Sequence, residues 1–244
     1  MDKFEALFGI EKEEVHDTCI LMPLLSKHAL EIMGISRFSK GRLYNSGKSR
    51  YFTLINTRVG HSFVADAVLY LKETSCRRII LFGSCGLTRE GLGLRIGSVV
   101  TPYRCYERES FSQMLLDNKV PKLYYPDREF LAQFLEINKE AVIQKVTCST
   151  LGSLKLEETM QDVFIRENIE VVDMECSAFF SAAESASISA LALFYISDII
   201  HKKPFYFPLD TRSKKDLDKA IKKASIILCD FIKENSSVSG MLNS

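Results

Sequence analysis

A single α/β domain of three layers, with helices on both faces of a central mixed sheet, is what this sequence predicts. Three observations lead there. Several of seven short apolar runs are continuous in Val, Ile, Leu and Phe, as strands covered on both faces require. Segments with apolar residues three and four apart separate them, the spacing of one helical stripe. Strands that alternate with helices build a largely parallel or mixed sheet.

Strands are expected at Asp17–Leu21, Ser49–Asn56, Arg78–Phe82, Ser98–Pro102, Ala141–Cys148, Glu170–Met174 and Ala190–Ser197. A helix over Phe63–Lys72 places Val64, Ala67, Val68 and Leu71 on one stripe, and another over Asp127–Ile137 does so with Phe130, Phe134 and Leu135. The last helix, Ser213–Lys233, sets Leu217, Ile221, Ala224, Leu228 and Phe231 against Lys214, Lys215, Lys222 and Lys223, which read as a solvated face. At 244 residues the chain suits one large domain, since a core of this size buries roughly three quarters of the unfolded surface. The domain is expected over residues 1–234, with 235–244 a flexible tail of Ser and Asn.

Composition narrows the function. With 46% hydrophobic residues, 26% charged residues and a net charge of +1, nothing draws the chain to nucleic acid or an anionic membrane. Its seven cysteines form no Cys-x-x-Cys pair and have no adjacent histidines, which favours reduced thiols over disulfides or a zinc site. Met1-Asp2-Lys3-Phe4-Glu5 does not read as a signal peptide, and the longest apolar run, Ile188–Ile196, is too short to span a bilayer. A cytoplasmic protein is expected.

Three stretches at strand ends carry chemistry. In Leu81-Phe82-Gly83-Ser84-Cys85-Gly86-Leu87 an apolar strand runs into two glycines around a serine, which suits a loop whose N–H groups approach phosphate or a sugar hydroxyl. An ordinary turn is the alternative. Val171-Val172-Asp173-Met174-Glu175-Cys176-Ser177 puts two acids into a buried run. A carboxylate accepts both hydrogen bonds of a vicinal diol, so Glu175 suits a ribose with Met174 beneath the sugar; alternatively the acids cap the following helix. Phe194-Tyr195-Ile196-Ser197-Asp198 again ends a strand in an acid, either a proton donor whose pKa burial raises or a turn residue.

In this order, Gly-Ser-Cys-Gly, Val-Asp-Met-Glu and Ile-Ser-Asp resemble the nucleoside phosphorylase-I family, over roughly Asp17–Lys233. That family includes hexameric purine nucleoside phosphorylases, uridine phosphorylases and methylthioadenosine/S-adenosylhomocysteine nucleosidases. The resemblance implies that Glu175 binds the ribose hydroxyls, Met174 packs on the sugar and Asp198 assists the departing base. Ser84, with backbone from Gly83 and Gly86, would face phosphate. The implied reaction is phosphorolysis of a purine or related nucleoside to base and ribose-1-phosphate by a homo-oligomer, with phosphate as co-substrate and no metal or organic cofactor. Hydrolysis, or nucleoside binding without turnover, are the alternatives.

The chain also departs from the family. Leu21–Lys27 stands where the phosphorylases carry Gly-Asp-x-x-Arg, and Leu81 where they carry an arginine; Arg42, Arg58 or Lys27 would have to substitute. The glutamate that activates water in the nucleosidases has no counterpart between Leu21 and Leu30. Ser153 and Leu154 stand where the family supplies a stacking ring. The ring-rich loop His201–Pro208 is a candidate lid, and Arg212 matches an arginine that assists the acid, although an ordinary first-turn position reads as well.

Overall fold

The apolar runs serve two cores, one on each face of the sheet. In a computed structural model, which describes residues 2–110 and 122–241, the elements run α1 (Lys3–Phe8), β1 (Thr18–Met22), α2 (Lys27–Met33), β2 (Ser39–Lys40), β3 (Asn45–Lys48) and β4 (Thr53–Asn56). Then follow α3 (His61–Leu71), β5 (Arg78–Leu87), β6 (Val99–Arg108), β7 (Leu123–Tyr124), α4 (Arg128–Ile137) and β8 (Gln144–Leu151). The chain continues through α5 (Leu154–Glu157), α6 (Gln161–Arg166), β9 (Val171–Asp173), α7 (Cys176–Ala186), β10 (Ser189–Ile199) and α8 (Thr211–Met241).

Cys19, Leu21, Ile79 and Leu81 enter a core shared with α3 and α7, whereas Ile20, Met22, Ile80 and Phe82 enter one closed by α2, α4 and α8. Alternate side chains point to opposite faces, so a strand covered twice must be apolar throughout. The three-layer mixed α/β architecture expected from the sequence is the one observed.

Sheet topology creates the functional end of the molecule. One edge of β5 pairs in parallel with β10 along its length. The other edge pairs with β1 over residues 78–81 and with β9, antiparallel, at Gly86 and Leu87. Between these partners, Phe82–Cys85 has no strand neighbour on that side among the described residues. A crevice opens there, at a switch in strand pairing of the kind where open α/β sheets bind ligands. Further pairings of β10 with β6, β6 with β8 and β8 with β9 bring the ladder back to β5, so part of the sheet closes into a ring.

Several expectations need correction. Gly83–Gly86 is not a loop but part of β5, and neither glycine has positive φ. Continued pairing with β10 keeps the segment extended. The strand expected at Ser49–Asn56 is shorter, β4 at Thr53–Asn56, and forms the second half of a hairpin: β3 precedes it, and a turn closed by Ser49 N–H donating to Phe52 O at 3.0 Å joins the two. The last helix begins at Thr211 and runs to Met241, with Asn235 buried and bonded to Phe231 O at 2.9 Å. Residues 242–244 lie outside the described residues.

Among the described residues, no helix is long and apolar enough to cross a membrane. All seven cysteines are buried free thiols. Cys105, Cys148 and Cys176 nevertheless bring their sulfurs within 4.8 Å of one another, because β6 pairs with β8 in the register Cys105 to Cys148 and α7 begins above them.

Candidate active site

The chain turns sharply after β9, and the two acids there separate in role. Asp173 is buried and accepts from Thr150 Oγ1 at 2.6 Å, Glu175 N–H at 3.0 Å and Cys176 N–H at 2.6 Å. It therefore satisfies the free N–H groups at the start of α7, where a negative charge is also favoured by the helix dipole. Glu175 makes no such cap. Its Oε1 accepts from Gly60 N–H at 2.7 Å, at the start of α3, and burial pushes its pKa up to about 7. Gly60 adopts φ 125°, a conformation that favours glycine, so the donor is placed by a residue that side chains would strain. Met174, between the acids, is half-buried.

Asp198 lies on the other side of β5. Its Oδ1 accepts from Ser197 Oγ at 2.6 Å, and the Phe205 N–H also donates to the carboxyl; burial still raises its pKa. A β-bulge in the β5–β10 ladder falls between Ile196 and Asp198 and re-aims the acid. Gly86 is its neighbour across the ladder, and a Cβ there would sit 3.3 Å from Asp198 Oδ2. This close approach, not backbone freedom, is what the second glycine of the motif provides. Gly86→Ala is expected to displace Asp198 and lower turnover by about tenfold while costing about 1 kcal/mol of stability. Steady-state kinetics beside a thermal melt checks this, and an unchanged rate would show that the contact is not needed.

Ser84 sits in the crevice, half-buried, and its hydroxyl has no hydrogen-bond partner among the described residues. Gly83 beside it is buried and close to Pro23 and Phe194. The cations expected to help are not drawn together. Arg42 is exposed on the turn between β2 and β3, three strands from β5. Arg58 is exposed with φ 65°, two residues before Gly60, and so stands nearer the Glu175 side. Lys27 is exposed at the start of α2 and pairs at 3.9 Å with Glu31. Arg212 is exposed in the first turn of α8, with no hydrogen bond or ion pair to Asp198 among the described residues.

Leu154 lines a cavity of about 230 Å³ between α5 and the loop after β10, with Glu157, Ile200, His201, Phe205 and Tyr206. Ser153 immediately precedes it. The rings of Phe205, Tyr206 and Phe207 touch one another in sequence and are exposed, so the loop forms an aromatic flap at the cavity mouth. A larger hollow of about 660 Å³, bordered by residues 122–127 and the C-terminal end of α7, contains none of these groups. Two neighbours of the site carry no mark in the sequence. His61 approaches Gly152 at the end of β8, and Glu109 Oε1 accepts from Ser177 Oγ at 3.1 Å. Both are placed by tertiary packing.

The phosphorylase superfamily model matches residues 12–233. The chain belongs to the phosphorylase superfamily. Among solved structures, this superfamily member is similar to uridine phosphorylase from Vibrio fischeri, with a TM-score of 0.77 and 16% identity over 91% of this chain and 93% of the other. It is also similar to AMP nucleosidase from Bacteroides thetaiotaomicron (TM-score 0.73, 19% identity, 96% of each chain). The 5'-methylthioadenosine/S-adenosyl homocysteine nucleosidase of Campylobacter jejuni gives a TM-score of 0.72 and 14% identity, over 90% of this chain and 99% of that one. No match is found among curated protein sequences. At these identities the structural likeness establishes the fold.

Proposed function

We propose that this superfamily member cleaves the N-glycosidic bond of a purine or related nucleoside by phosphorolysis, releasing the free base and ribose-1-phosphate. The observation that carries the reading is the placement of two buried carboxyl groups, Glu175 and Asp198, on either side of β5, whose Ser84 hydroxyl has no hydrogen-bond partner among the described residues. Glu175 accepts the ribose 2′- and 3′-hydroxyls while Met174 lies against the sugar. Ser84 and the free backbone edge of Phe82–Cys85, with Gly83 and Gly86 leaving room, hold a phosphate oxygen beneath C1′.

As the C1′–N bond breaks, its electron pair passes to the base and phosphate oxygen supplies a pair to C1′. Asp198 meets the base, with Ser153 and Leu154 beside it, and favours its departure. The scheme needs phosphate as co-substrate and no metal or organic cofactor. A homo-oligomer fits the exposed apolar residues Leu24, Leu25, Val59 and Phe63 around this end of the sheet. In such an assembly Arg42 and Arg58 of one protomer reach the phosphate of its partner.

Hydrolysis is the second reading. Its specific support is the scarcity of cations near Ser84 among the described residues: Leu81 is wholly buried in the core and Arg42 is remote within its own chain. A phosphate dianion held by so few positive charges binds weakly. Incubation with a panel of nucleosides, with and without phosphate, decides between them. Phosphorolysis requires that base release stop when phosphate is removed; undiminished release would establish water as the nucleophile, and no release from any nucleoside would leave a binding protein.

A further inference from the structure

The half-buried Glu157 lines the candidate base cavity together with the exposed Glu158, and Asp198 lies beside it, bonded by the N–H of the lining residue Phe205; Glu157 and Asp198 differ in one respect that decides where a proton resides. Asp198 receives hydrogen bonds from Ser197 Oγ and from Phe205 N–H, and donors of this kind favour a carboxylate. Glu157, at the end of α5, lines the cavity itself, and its carboxyl group receives no hydrogen bond among the described residues. Half-burial without a donor favours the neutral acid.

We propose that Glu157 is the proton-carrying member of a Glu157–Asp198 pair and delivers its proton to the base as the glycosidic bond breaks. This rests on the reading of the site as one for N-glycosidic cleavage. In the step, the Glu157 O–H proton passes to a ring nitrogen of the base, the C1′–N pair moves into the ring, and the nucleophile, phosphate or water, bonds to C1′. Glu157 is left ionised and is reprotonated from solvent through the open mouth of the cavity.

The surroundings support the assignment. The charged and titratable groups facing Glu157 are Asp198 on β10, Lys155 on its own short helix, Glu158 just after that helix, and His201 and Tyr206 on the loop. Lys155 is held by Glu158, so it does not neutralise Glu157. Burial first, then the charges of Asp198 and Glu158, raise the Glu157 pKa to about 7. A general acid with a pKa near the working pH combines a large protonated fraction with ready proton transfer. Arg212, the group that the family resemblance offered as the helper of Asp198, makes no hydrogen bond or ion pair with it among the described residues; a second carboxyl group occupies that task.

The test uses the full chain with phosphate and two probes, inosine and 7-methylinosine, whose base already carries a positive charge and leaves without a proton. Glu157→Gln is expected to lower kcat/KM for inosine by about 100-fold, to change that for 7-methylinosine less than about threefold, and to abolish the fall in wild-type rate above pH about 7. Equal losses on both probes with an unchanged pH profile, or no loss on either, overturn the inference. Absence of turnover by the wild-type protein sinks the proposed function instead. Infrared difference titration is independent of turnover: Glu157 and Glu175 both contribute a carboxyl signal that titrates near pH 7 in the wild type, so a signal reduced by one carboxyl group in Glu157→Gln, with the remainder lost on adding Glu175→Gln, supports the assignment, and an undiminished signal in Glu157→Gln overturns it.

Discussion

Asp198→Asn is expected to lower turnover of a natural nucleoside by about 100- to 10,000-fold while the protein stays folded. The amide oxygen can still accept from Ser197 Oγ and Phe205 N–H, so the local structure persists. What disappears is a negative charge. With it goes one of the interactions that raise the pKa of Glu157, so the rate-limiting ionisation above neutrality should move to lower pH in the variant. Kinetics across pH with circular dichroism as a control checks both effects. A variant with the wild-type rate would remove Asp198 from the mechanism.

Glu175→Gln is the second large effect. Glutamine keeps the shape and can still accept from Gly60 N–H, but a charged acceptor for the ribose diol becomes a neutral one. Charge-assisted hydrogen bonds are worth roughly twice neutral ones, so nucleoside binding should weaken by about 10- to 100-fold. Isothermal titration with inosine measures it, and unchanged affinity would end the ribose assignment. The pH dependence has a definite sign. Burial raises the Glu175 pKa to about 7, so the acceptor form grows as pH rises through that value and binding strengthens. Proton delivery by Glu157 falls over the same range. Opposed limbs of this kind give a bell-shaped kcat/KM profile, and replacing either acid removes one side of it.

How much of this was legible in the sequence depended on the range of the interaction. The strands of β1, β5, β8 and β10 announced themselves because each is buried on both faces, a property of local composition. Hairpin strands β2 and β3 and the short β7 lack that signature, since they lie at or near the sheet margin: β2 is exposed, and β3 and β7 are only partly buried. Asp173 and Glu175 stood out as acids in an apolar run, but their division of labour depends on Thr150 and Gly60, which arrive from β8 and the start of α3. The Gly-Ser-Cys-Gly motif was found, yet its meaning changed. The segment is a strand whose partner on one side switches from β1 to β9. Glu157 was missed because two adjacent glutamates on a short amphipathic turn look like surface, and only the packing of α5 against the loop after β10 turns one of them inward. Arg42 and Arg212 show the converse: a cation at the right distance in sequence need not arrive in space.

The ring through β5 and β10 has a consequence for how the molecule is made. Its two halves pair over residues far apart in the chain, Arg78 with Ser189 at one end and Leu87 with Ile199 at the other. A ribosome therefore exposes β5, β6, β8 and β9 before their closing strand has been translated. Until then β5 and β6 present unpaired edges, which invite association with other chains. Long-range closure of this kind is also slow, because the entropy of bringing distant segments together is spent before the contacts form. Asp198, its bulge and the aromatic flap all belong to that last strand and the residues after it, so ligand recognition should be among the final properties a newly synthesised chain acquires.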